Sequence, residues 1–162
     1  MRFLPLAIDM SGRTCVVVGG GVIGTRKVQT LLRAGASVKV VAPTVTAELA
    51  REIEEGRVRW HREMVRSEHL EGACLVVMAT DDPVLNRLGS RIAEDLGVLA
   101  CDVSSSASTR VTFGALLEVG DVTIATFTDG KDPALARQAR DEIGRLLGER
   151  AVAGVEHGGD ET

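Results

Sequence analysis

The chain has few of the features by which proteins bind nucleic acids or insert into membranes. Aromatic residues make up only 2% of its 162 residues and tyrosine is absent, so it lacks the stacking platforms on which proteins bind single-stranded nucleic acid. Its net charge is −4 at pH 7, which excludes a bulk basic field for phosphate backbones. No run approaches the ~18 consecutive apolar residues that a transmembrane helix requires. We therefore expect neither a nucleic-acid partner nor a membrane.

Cysteine is also scarce. Cys15, Cys74 and Cys101 form an odd set without metal-ligand spacing, which favours buried, reduced thiols over disulfides or a metal site. The N-terminus lacks a signal-peptide cleavage pattern, so the cytoplasm is the expected compartment. The histidines show no metal-ligand spacing either, and we expect no tightly bound metal. They are His61, His69 and His157.

The most informative feature that is present is a glycine fingerprint, G-x-G-x-x-G, at residues 19–24. It follows an apolar, β-branched strand predicted over Thr14–Val18 and precedes a helix predicted over 22–34. Strand, tight turn and helix in this order are the context in which the fingerprint indicates a dinucleotide-binding site. The alternative is a glycine-rich turn without a ligand.

Each glycine of the fingerprint has a physical role in such a site. Gly19 permits the tight turn, Gly21 lets the backbone approach a pyrophosphate, and Gly24 lets the helix pack close to the strand. The start of the helix, at Val22 and Ile23, offers unpaired N–H groups and the positive end of the helix dipole to the phosphates. These residues are the candidates for pyrophosphate binding.

Strands and helices alternate along most of the chain. This alternation predicts an α/β fold with a Rossmann-like, doubly wound parallel sheet. Beyond the first strand and helix, the predicted strands are 37–41, 58–60, 75–79, 98–103, 111–117 and 122–127, and the predicted helices are 46–55 and 83–96.

The pattern changes after residue 103. A polar loop at 104–109 is followed by two strand-like segments that suggest an antiparallel addition, and then by a helix that starts at Asp132-Pro133 and runs to about Leu147. The expected organisation is a dinucleotide-binding domain at 1–110, a small α+β segment at 111–150 and a disordered tail at 151–162.

The expected ribose-binding acid is missing. An ordinary NAD fingerprint has a carboxylate ~20 residues after the glycines, at the end of the second strand. That place is 40–44 here, and it holds neither a carboxylate nor an arginine suited to a 2′-phosphate. The adenosine ribose must then be held by backbone or by Thr44, and Pro43 and Thr44 are cofactor-binding candidates. This argues against an ordinary dehydrogenase but not against NAD.

A second strand-end loop carries Thr80, Asp81 and Asp82. Loops at the carboxyl ends of strands line the ligand crevice of a doubly wound fold, so Thr80 and Asp81 are candidates for contact with the cofactor. The alternative for both aspartates is to cap the helix that begins at Pro83, and we favour that role for Asp82.

Taken together, these residues resemble the precorrin-2 dehydrogenase family, which includes the N-terminal domain of siroheme synthases. The resemblance covers roughly residues 1–147, and the missing ribose acid is what this family shows. The matching pieces are Phe3-Leu4-Pro5-Leu6, Val16-Val17-Val18-Gly19-Gly20-Gly21 with Arg26-Lys27, Gly35-Ala36 before a strand without a terminal acid, Ala79-Thr80-Asp81-Asp82, Cys101-Asp102-Val103, and the run from Asp129-Gly130-Lys131 through Pro133-Ala134-Leu135-Ala136-Arg137.

The resemblance implies a homodimeric enzyme that uses NAD to oxidise precorrin-2 to sirohydrochlorin, an early step toward siroheme and related tetrapyrroles. Some members also insert iron into sirohydrochlorin, and cobalt insertion is a related activity. In this family the segment after the Rossmann-like part supplies the dimer contacts, which implies 111–147 here. The nicotinamide takes the hydride, and the protein supplies positioning, with or without a base for the proton.

The implied substrate is a polycarboxylate macrocycle, so its site needs basic side chains, hydroxyls or helix N-termini. Arg110, Lys131 and Arg137 are the basic candidates, together with the 104–109 loop and the helix that starts at Asp132. For each basic side chain taken alone, a solvated surface position is the alternative. The prediction therefore depends on the cluster.

The sequence departs from the family pattern at one catalytic position. Members often carry an aspartate two or three residues beyond the asparagine of their Asn-Val pair, and Ser104 and Ser105 stand there in this chain. Serine does not act as a base at neutral pH without activation. The nearest carboxylate is Asp102, which could be a substitute base, a cofactor contact or only a turn residue. Longer members also carry a further helical domain over the substrate site, which we do not expect here.

Two other functions compete with the dehydrogenase. One is a non-catalytic NAD-sensing module, although such modules usually keep the acid after the second strand. The other is a tetrapyrrole chelatase or carrier that acts without NAD. Binding of NAD without a tetrapyrrole would favour the first, and metal insertion without a cofactor would favour the second.

Overall fold

The computed structural model describes residues 2–105 and 109–155. The chain divides into two compact units, Met1–Thr112 and Phe113–Thr162. Two parts of the predicted organisation lie outside the described residues. They are the middle of the polar loop, 106–108, and the last part of the expected disordered tail, 156–162, which contains His157.

The first unit alternates strands and helices, as predicted. Its five strands form one parallel sheet in the order β3-β2-β1-β4-β5, which confirms the Rossmann-like fold class. A short 3-10 turn at Ser67–His69, which was not predicted, lies between the third and fourth strands. The elements are β1 (Thr14–Val18), α1 (Val22–Arg33), β2 (Ser37–Val41), α2 (Ala47–Glu54), β3 (Val58–His61), β4 (Leu75–Met78), α3 (Pro83–Asp95) and β5 (Leu99–Asp102).

The two faces of the sheet are covered by different helices because side chains alternate along each strand. On one face Val17 packs against α1 at Gly24. On the other face Met78 packs against α3, where a Cβ on Gly89 would overlap the methionine side chain. Both faces of the central strands are thus buried, which explains why β1 and β4 are nearly continuous apolar runs rather than alternating ones.

The strand order reverses between β1 and β4. From β1 the chain moves to β2 and β3 on one side, whereas β4 and β5 extend the sheet on the other side. Parallel sheets of this type bind ligands outside the carboxyl ends of the strands at such a switch point. The glycine fingerprint, which directly follows β1, lies at this point.

The second unit is a hairpin and a long helix. Strands β6 (Ala115–Val119) and β7 (Val122–Thr126) pair antiparallel, and α4 spans Pro133–Val155. The turn of the hairpin consists of Gly120 and Asp121, because Val119 pairs with Val122. Asp132 caps α4 through bonds from the N–H groups of Ala134 and Leu135, at 3.0 and 2.9 Å.

Two predicted boundaries in this region were wrong. The strand predicted at 111–117 runs over Ala115–Val119, because the N–H of Val111 donates instead to the carbonyl of Ala100 beside β5, at 3.2 Å. The last helix continues past Leu147 to Val155, so the start of the expected tail is helical. Alanine, which stands at 151 and 153, is the strongest helix former.

None of the helices in the described part of the chain has the length and apolarity needed to cross a membrane.

The thiols behave largely as expected, with Cys15 and Cys101 buried and Cys74 half-buried. Burial raises the pKa of Cys15 to about 11 and the pKa of Cys101 to about 11. A thiol whose pKa is higher in the folded than in the unfolded chain stabilises the fold fully below the unfolded value. That contribution is lost as the pH rises toward the folded value.

We therefore expect the free energy of unfolding to fall between about pH 9 and pH 11, the interval that separates the ordinary thiol pKa from the raised one. Urea unfolding at several pH values measures it, and tyrosine does not contribute because the chain has none. The control is the Cys15→Ala, Cys101→Ala double variant, which should show a smaller fall. An identical fall in both proteins would contradict the assignment.

Candidate functional site

The turn of the glycine fingerprint is packed too closely for any side chain at the first and third glycines of the G-x-G-x-x-G pattern. Gly19 has a φ of +114° and a Cβ there would overlap the carbonyl of Ala79 at the end of β4. A Cβ on Gly24 would overlap the carbonyl of Gly19. The close approach of α1 to β1 and β4 thus depends on both glycines, in agreement with the roles predicted for them.

Gly21 is different because it faces open space. No atom lies within 4 Å of the position that its Cβ would take. It is the N-cap of α1 and places no side chain over the first turn, so no side chain caps the N–H groups there. Val22 and Ile23, which begin the helix, are exposed. An open approach to an uncapped helix N-terminus fits a pyrophosphate group.

The loop after β2 is clamped onto this turn. A Cβ on Gly20 would overlap the carbonyl of Thr44, and the N–H of Thr46 donates to the carbonyl of Gly20 at 3.0 Å. The hydroxyls of Thr25 and Thr46 are 2.8 Å apart, and the Thr25 hydroxyl also donates to the carbonyl of Gly21 at 2.9 Å. Pro43 and Thr44 are therefore held beside the fingerprint.

The loop after β4 is organised by Asn86, which sequence analysis did not identify. This side chain is completely buried. Its Oδ1 accepts bonds from the N–H and the hydroxyl of Thr80, at 3.0 and 2.6 Å, and its Nδ2 donates to the Thr80 carbonyl at 2.9 Å. The Thr80 hydroxyl is therefore already engaged in a hydrogen bond within the chain. A polar residue on the sheet-facing side of α3 was the available signal for Asn86.

The two aspartates of this loop have different roles. Asp82 caps α3, as favoured from the sequence, by accepting bonds from the N–H groups of Val84 and Leu85 at 2.8 and 3.2 Å. Asp81 is exposed, and its carboxylate makes no hydrogen bond or ion pair within the described part of the chain. Asp81 is the carboxylate of this loop that remains able to contact a ligand.

These loops enclose a cleft of about 520 Å³ at the carboxyl ends of the strands. Of the predicted cofactor-binding residues, Val22, Ile23 and Gly24 lie beside it in α1, and the other six line it. A further segment that was not predicted, Glu63, Met64 and Val65 after β3, completes its wall. The predicted residues on the lining are Gly19, Gly21, Pro43, Thr44, Thr80 and Asp81.

The predicted catalytic residues lie at the end of β5. Asp102 is only 3% exposed, and its Oδ1 accepts bonds from the N–H and the hydroxyl of Ser104, at 2.8 and 2.6 Å. Its own N–H donates to the hydroxyl of Thr109 at 3.0 Å. This arrangement agrees with the turn-residue alternative, and it pairs a serine hydroxyl with a carboxylate. The backbone carbonyl of Ser105 accepts a bond from the N–H of Thr109 at 3.3 Å.

A basic side chain that was not predicted as a site residue lies near the same strand end. Lys27 of α1 is half-buried beside Cys101, and burial lowers the pKa of its ammonium group. The carboxyl end of β5 therefore brings a lysine, a thiol and the Asp102–Ser104 pair into one region of the first unit.

The predicted substrate-binding side chains do not form one cluster within either unit. Arg110 belongs to the first unit, where its Nε lies 3.2 Å from Oε2 of Glu94. Lys131 and Arg137 belong to the second unit, and both are exposed. The binding of tetrapyrrole carboxylates by these residues stays a prediction.

Two of the histidines approach each other although their spacing gave no sign of it. His61, Glu63 and His69 place one ligand atom each within 4.8 Å of one another. Nδ1 of His69 accepts a bond from the N–H of Arg66 at 3.0 Å, so the proton of the neutral ring lies on Nε2, which is 3.3 Å from Oε1 of Glu63. A protonated Nε2 is a hydrogen-bond donor rather than a metal ligand, and the absence of a bound metal stays a prediction.

The fold and the cleft place the chain among dinucleotide-binding proteins. Residues 6–115 match the model of a family described as "Putative NAD(P)-binding". The solved structure of SirC, a precorrin-2 dehydrogenase, superposes with a TM-score of 0.79 at 32% sequence identity, covering 89% of this chain and 71% of that one.

Two similar relatives are siroheme synthases. That of Photorhabdus laumondii is 35% identical over 147 residues, which are 91% of this chain and 31% of the relative. Siroheme synthase 2 of Yersinia pestis is 35% identical over 159 residues, which are 95% of this chain and 34% of the relative. The chain thus spans about a third of the length of these curated relatives.

The chain belongs to the precorrin-2 dehydrogenase family, which includes the N-terminal part of siroheme synthases. This membership confirms the resemblance drawn from the motifs and the expected NAD cofactor. The open Gly21, the uncapped start of α1 and the adjoining cleft are the features that fit this cofactor.

The variant Gly21→Asp should fold and lose NAD binding. Open space around Gly21 leaves room for the side chain, and aspartate is a favourable N-cap, but its charge would occupy the approach of the pyrophosphate. Calorimetric titration with NAD measures the affinity, and circular dichroism checks the fold. The control is Gly148→Asp, at another glycine whose Cβ meets no atom within 4 Å. Undiminished affinity in Gly21→Asp would contradict this placement of the pyrophosphate.

Proposed function

We propose that this chain catalyses the NAD-dependent dehydrogenation of precorrin-2 to sirohydrochlorin in siroheme or related tetrapyrrole synthesis. The observation that carries the proposal is the open, glycine-lined cleft at the carboxyl ends of β1, β2 and β4, in a chain that matches the SirC structure over 89% of its length. Loss of a hydride and a proton from the substrate yields the product, and NAD accepts the hydride when it is bound.

The loops of the cleft supply binding and orientation. Gly21 and the first N–H groups of α1 would take the pyrophosphate, and Pro43 and Thr44 would contact the adenosine half. Thr80 and Asp81 line the cleft on its β4 side. Since Asn86 and the Thr25–Thr46 pair already hold these loops, little ordering is required when the cofactor binds.

Asp102 and Ser104 are the proposed path for the proton. The Ser104 hydroxyl donates to Oδ1 of Asp102 at 2.6 Å, and a carboxylate in this position can activate a serine. The hydroxyl would accept the substrate proton while it passes its own proton to Asp102. Ser104, supported by Asp102, would thus replace the aspartate that stands two or three residues beyond the asparagine of the Asn-Val pair in other members.

The direct test supplies the purified protein with precorrin-2 and NAD and follows the absorbance of sirohydrochlorin. We expect turnover that requires NAD and is abolished in Gly21→Asp. NAD binding without turnover at high enzyme concentration would support a sensing module and contradict the enzyme. Insertion of cobalt or iron into sirohydrochlorin without any cofactor would instead indicate a chelatase or carrier.

Two variants test the proton path. Asp102→Asn and Ser104→Ala should each lower kcat about 10²-fold or more, the contribution typical of general base catalysis, with NAD affinity retained. Ser105→Ala is the matched comparison and separates the two serines. Unchanged turnover in Asp102→Asn would mean that Asp102 only stabilises the turn after β5. Loss of activity in Ser105→Ala alone would mean that the proton passes through Ser105 instead of Ser104.

A homodimer is the second part of the proposal. Among the described side chains of the second unit, Ala136 alone is buried, and a two-stranded hairpin with one helix has marginal stability by itself. Leucines on α4, such as Leu135 and Leu146, are exposed. A second copy that covers this unit would supply the missing core, consistent with the contacts implied by the family resemblance.

Light scattering after gel filtration should give a mass twice that of the 17.2-kDa chain. Leu135→Glu should shift the protein toward the monomer, because a charge in an apolar interface is costly. The matched control is Leu88→Glu in the first unit, where Leu88 is 54% exposed against 52% for Leu135. A monomeric wild-type protein, or dissociation by Leu88→Glu alone, would contradict this arrangement.

A further inference from the structure

A carboxylate lines the cleft near the end of β2, although it belongs to the segment that follows β3. The ribose acid expected directly after β2 is absent from the sequence, yet Glu63, after β3, lines the same cleft as Pro43 and Thr44. We infer that Glu63 accepts the hydroxyls of the adenosine ribose and thereby selects NAD over NADP. This inference rests on the proposed NAD-dependent function and names a specificity residue for it.

The position of Glu63 follows from the pairing of β3 with β2. Val41 pairs with His61 at the ends of the two strands, and the N–H of Ala42 donates to the carbonyl of His61 at 3.1 Å. The indole of Trp60 donates to the carbonyl of Ala42 at 2.9 Å. The segment after β3 is therefore fixed beside the segment after β2, where the adenosine ribose is bound in this class of fold.

The Glu63 carboxylate is oriented by two donors. Its Oε2 is 2.7 Å from a guanidinium nitrogen of Arg66, and its Oε1 is 3.3 Å from Nε2 of His69. An ionised carboxylate has about four acceptor positions, so both oxygens keep capacity for further bonds, and the side chain is 39% exposed. A fixed acceptor that is still partly open is suited to a pair of ribose hydroxyls.

The charges of the cleft also favour NAD over NADP. Its ionisable lining residues are Glu63, Asp81 and Asp82, and no basic side chain belongs to the described lining. Arg66 pairs with Glu63 and with Glu68, and Arg62 lies over the ring of Trp60. The 2′-phosphate of NADP would be repelled by these carboxylates, and no cation on the lining would offset the repulsion. The 2′-hydroxyl of NAD would instead donate a hydrogen bond to Glu63.

The test measures affinities for NAD, NADP and an NAD analogue that lacks the 2′-hydroxyl of the adenosine ribose. The wild-type protein should bind NAD about tenfold or more tightly than either of the others, the ratio expected from one charge-assisted hydrogen bond. In Glu63→Gln and Glu63→Ala the three affinities should converge. A merely structural role would weaken all three ligands equally and leave their ratios unchanged.

The matched control is Glu68→Gln. Glu68 carries the same charge and pairs with the same Arg66, at 2.9 Å, but it does not line the cleft, so its removal should leave the ratios at their wild-type values. Equal changes in Glu68→Gln and Glu63→Gln would show a general charge effect and overturn the inference. Equal wild-type affinity for NAD and its 2′-deoxy analogue would also overturn it.

The same titrations separate this inference from the proposed function. If the wild-type protein does not bind NAD, the proposed dehydrogenase and the inference both fail. If NAD binds and supports turnover but the ratios do not depend on Glu63, the inference alone fails. Thermal unfolding of each variant shows whether the loss of the Arg66 and His69 contacts changes the fold, and Glu63→Asp, which keeps the charge, should retain part of the discrimination.

Discussion

The structure depends on three close backbone contacts at the glycine turn. Side chains on Gly19, Gly20 and Gly24 would overlap carbonyl groups of Ala79, Thr44 and Gly19, respectively. These contacts are between backbone atoms, with no side chain in between. They bring together β1, β4, the loop after β2 and the start of α1, and they leave the space in front of Gly21 empty. The cleft is the space that this contact leaves open, and the rest of the proposed site is arranged around it.

Buried hydrogen bonds hold the surrounding loops in place before any ligand binds. Asn86 bonds to the Thr80 backbone and hydroxyl, and the Thr25–Thr46 pair joins α1 to the start of α2. Satisfied polar groups of this kind are costly to disrupt in a low-dielectric interior. The loops therefore offer a prearranged surface, which reduces the entropy that cofactor binding must overcome.

The sequence was sufficient for features that depend on neighbouring residues and insufficient for those that depend on strand order. The strand–turn–helix around Gly19–Gly24 and the cap at Asp82 are local, and both were predicted. Glu63 was missed because only the pairing of β3 with β2 brings it to the cleft. Asn86 was missed because only the packing of α3 places it against the Thr80 loop. The early start predicted for β6 failed for a similar reason, since Val111 bonds to Ala100 beside β5 and not to a neighbouring strand of its own hairpin.

The central claim is that a dinucleotide lies across this cleft of the first unit. The most direct measurement is a titration of the ¹⁵N-labelled chain with NAD, followed by the amide resonances in two-dimensional NMR spectra. The account predicts that the amides of Gly19, Gly21, Thr44 and Glu63 shift or broaden with saturation, while those of Gly12 and Gly56, at the amino ends of β1 and β3, change least. Saturable shifts confined to other residues, with these four amides unmoved, would contradict it.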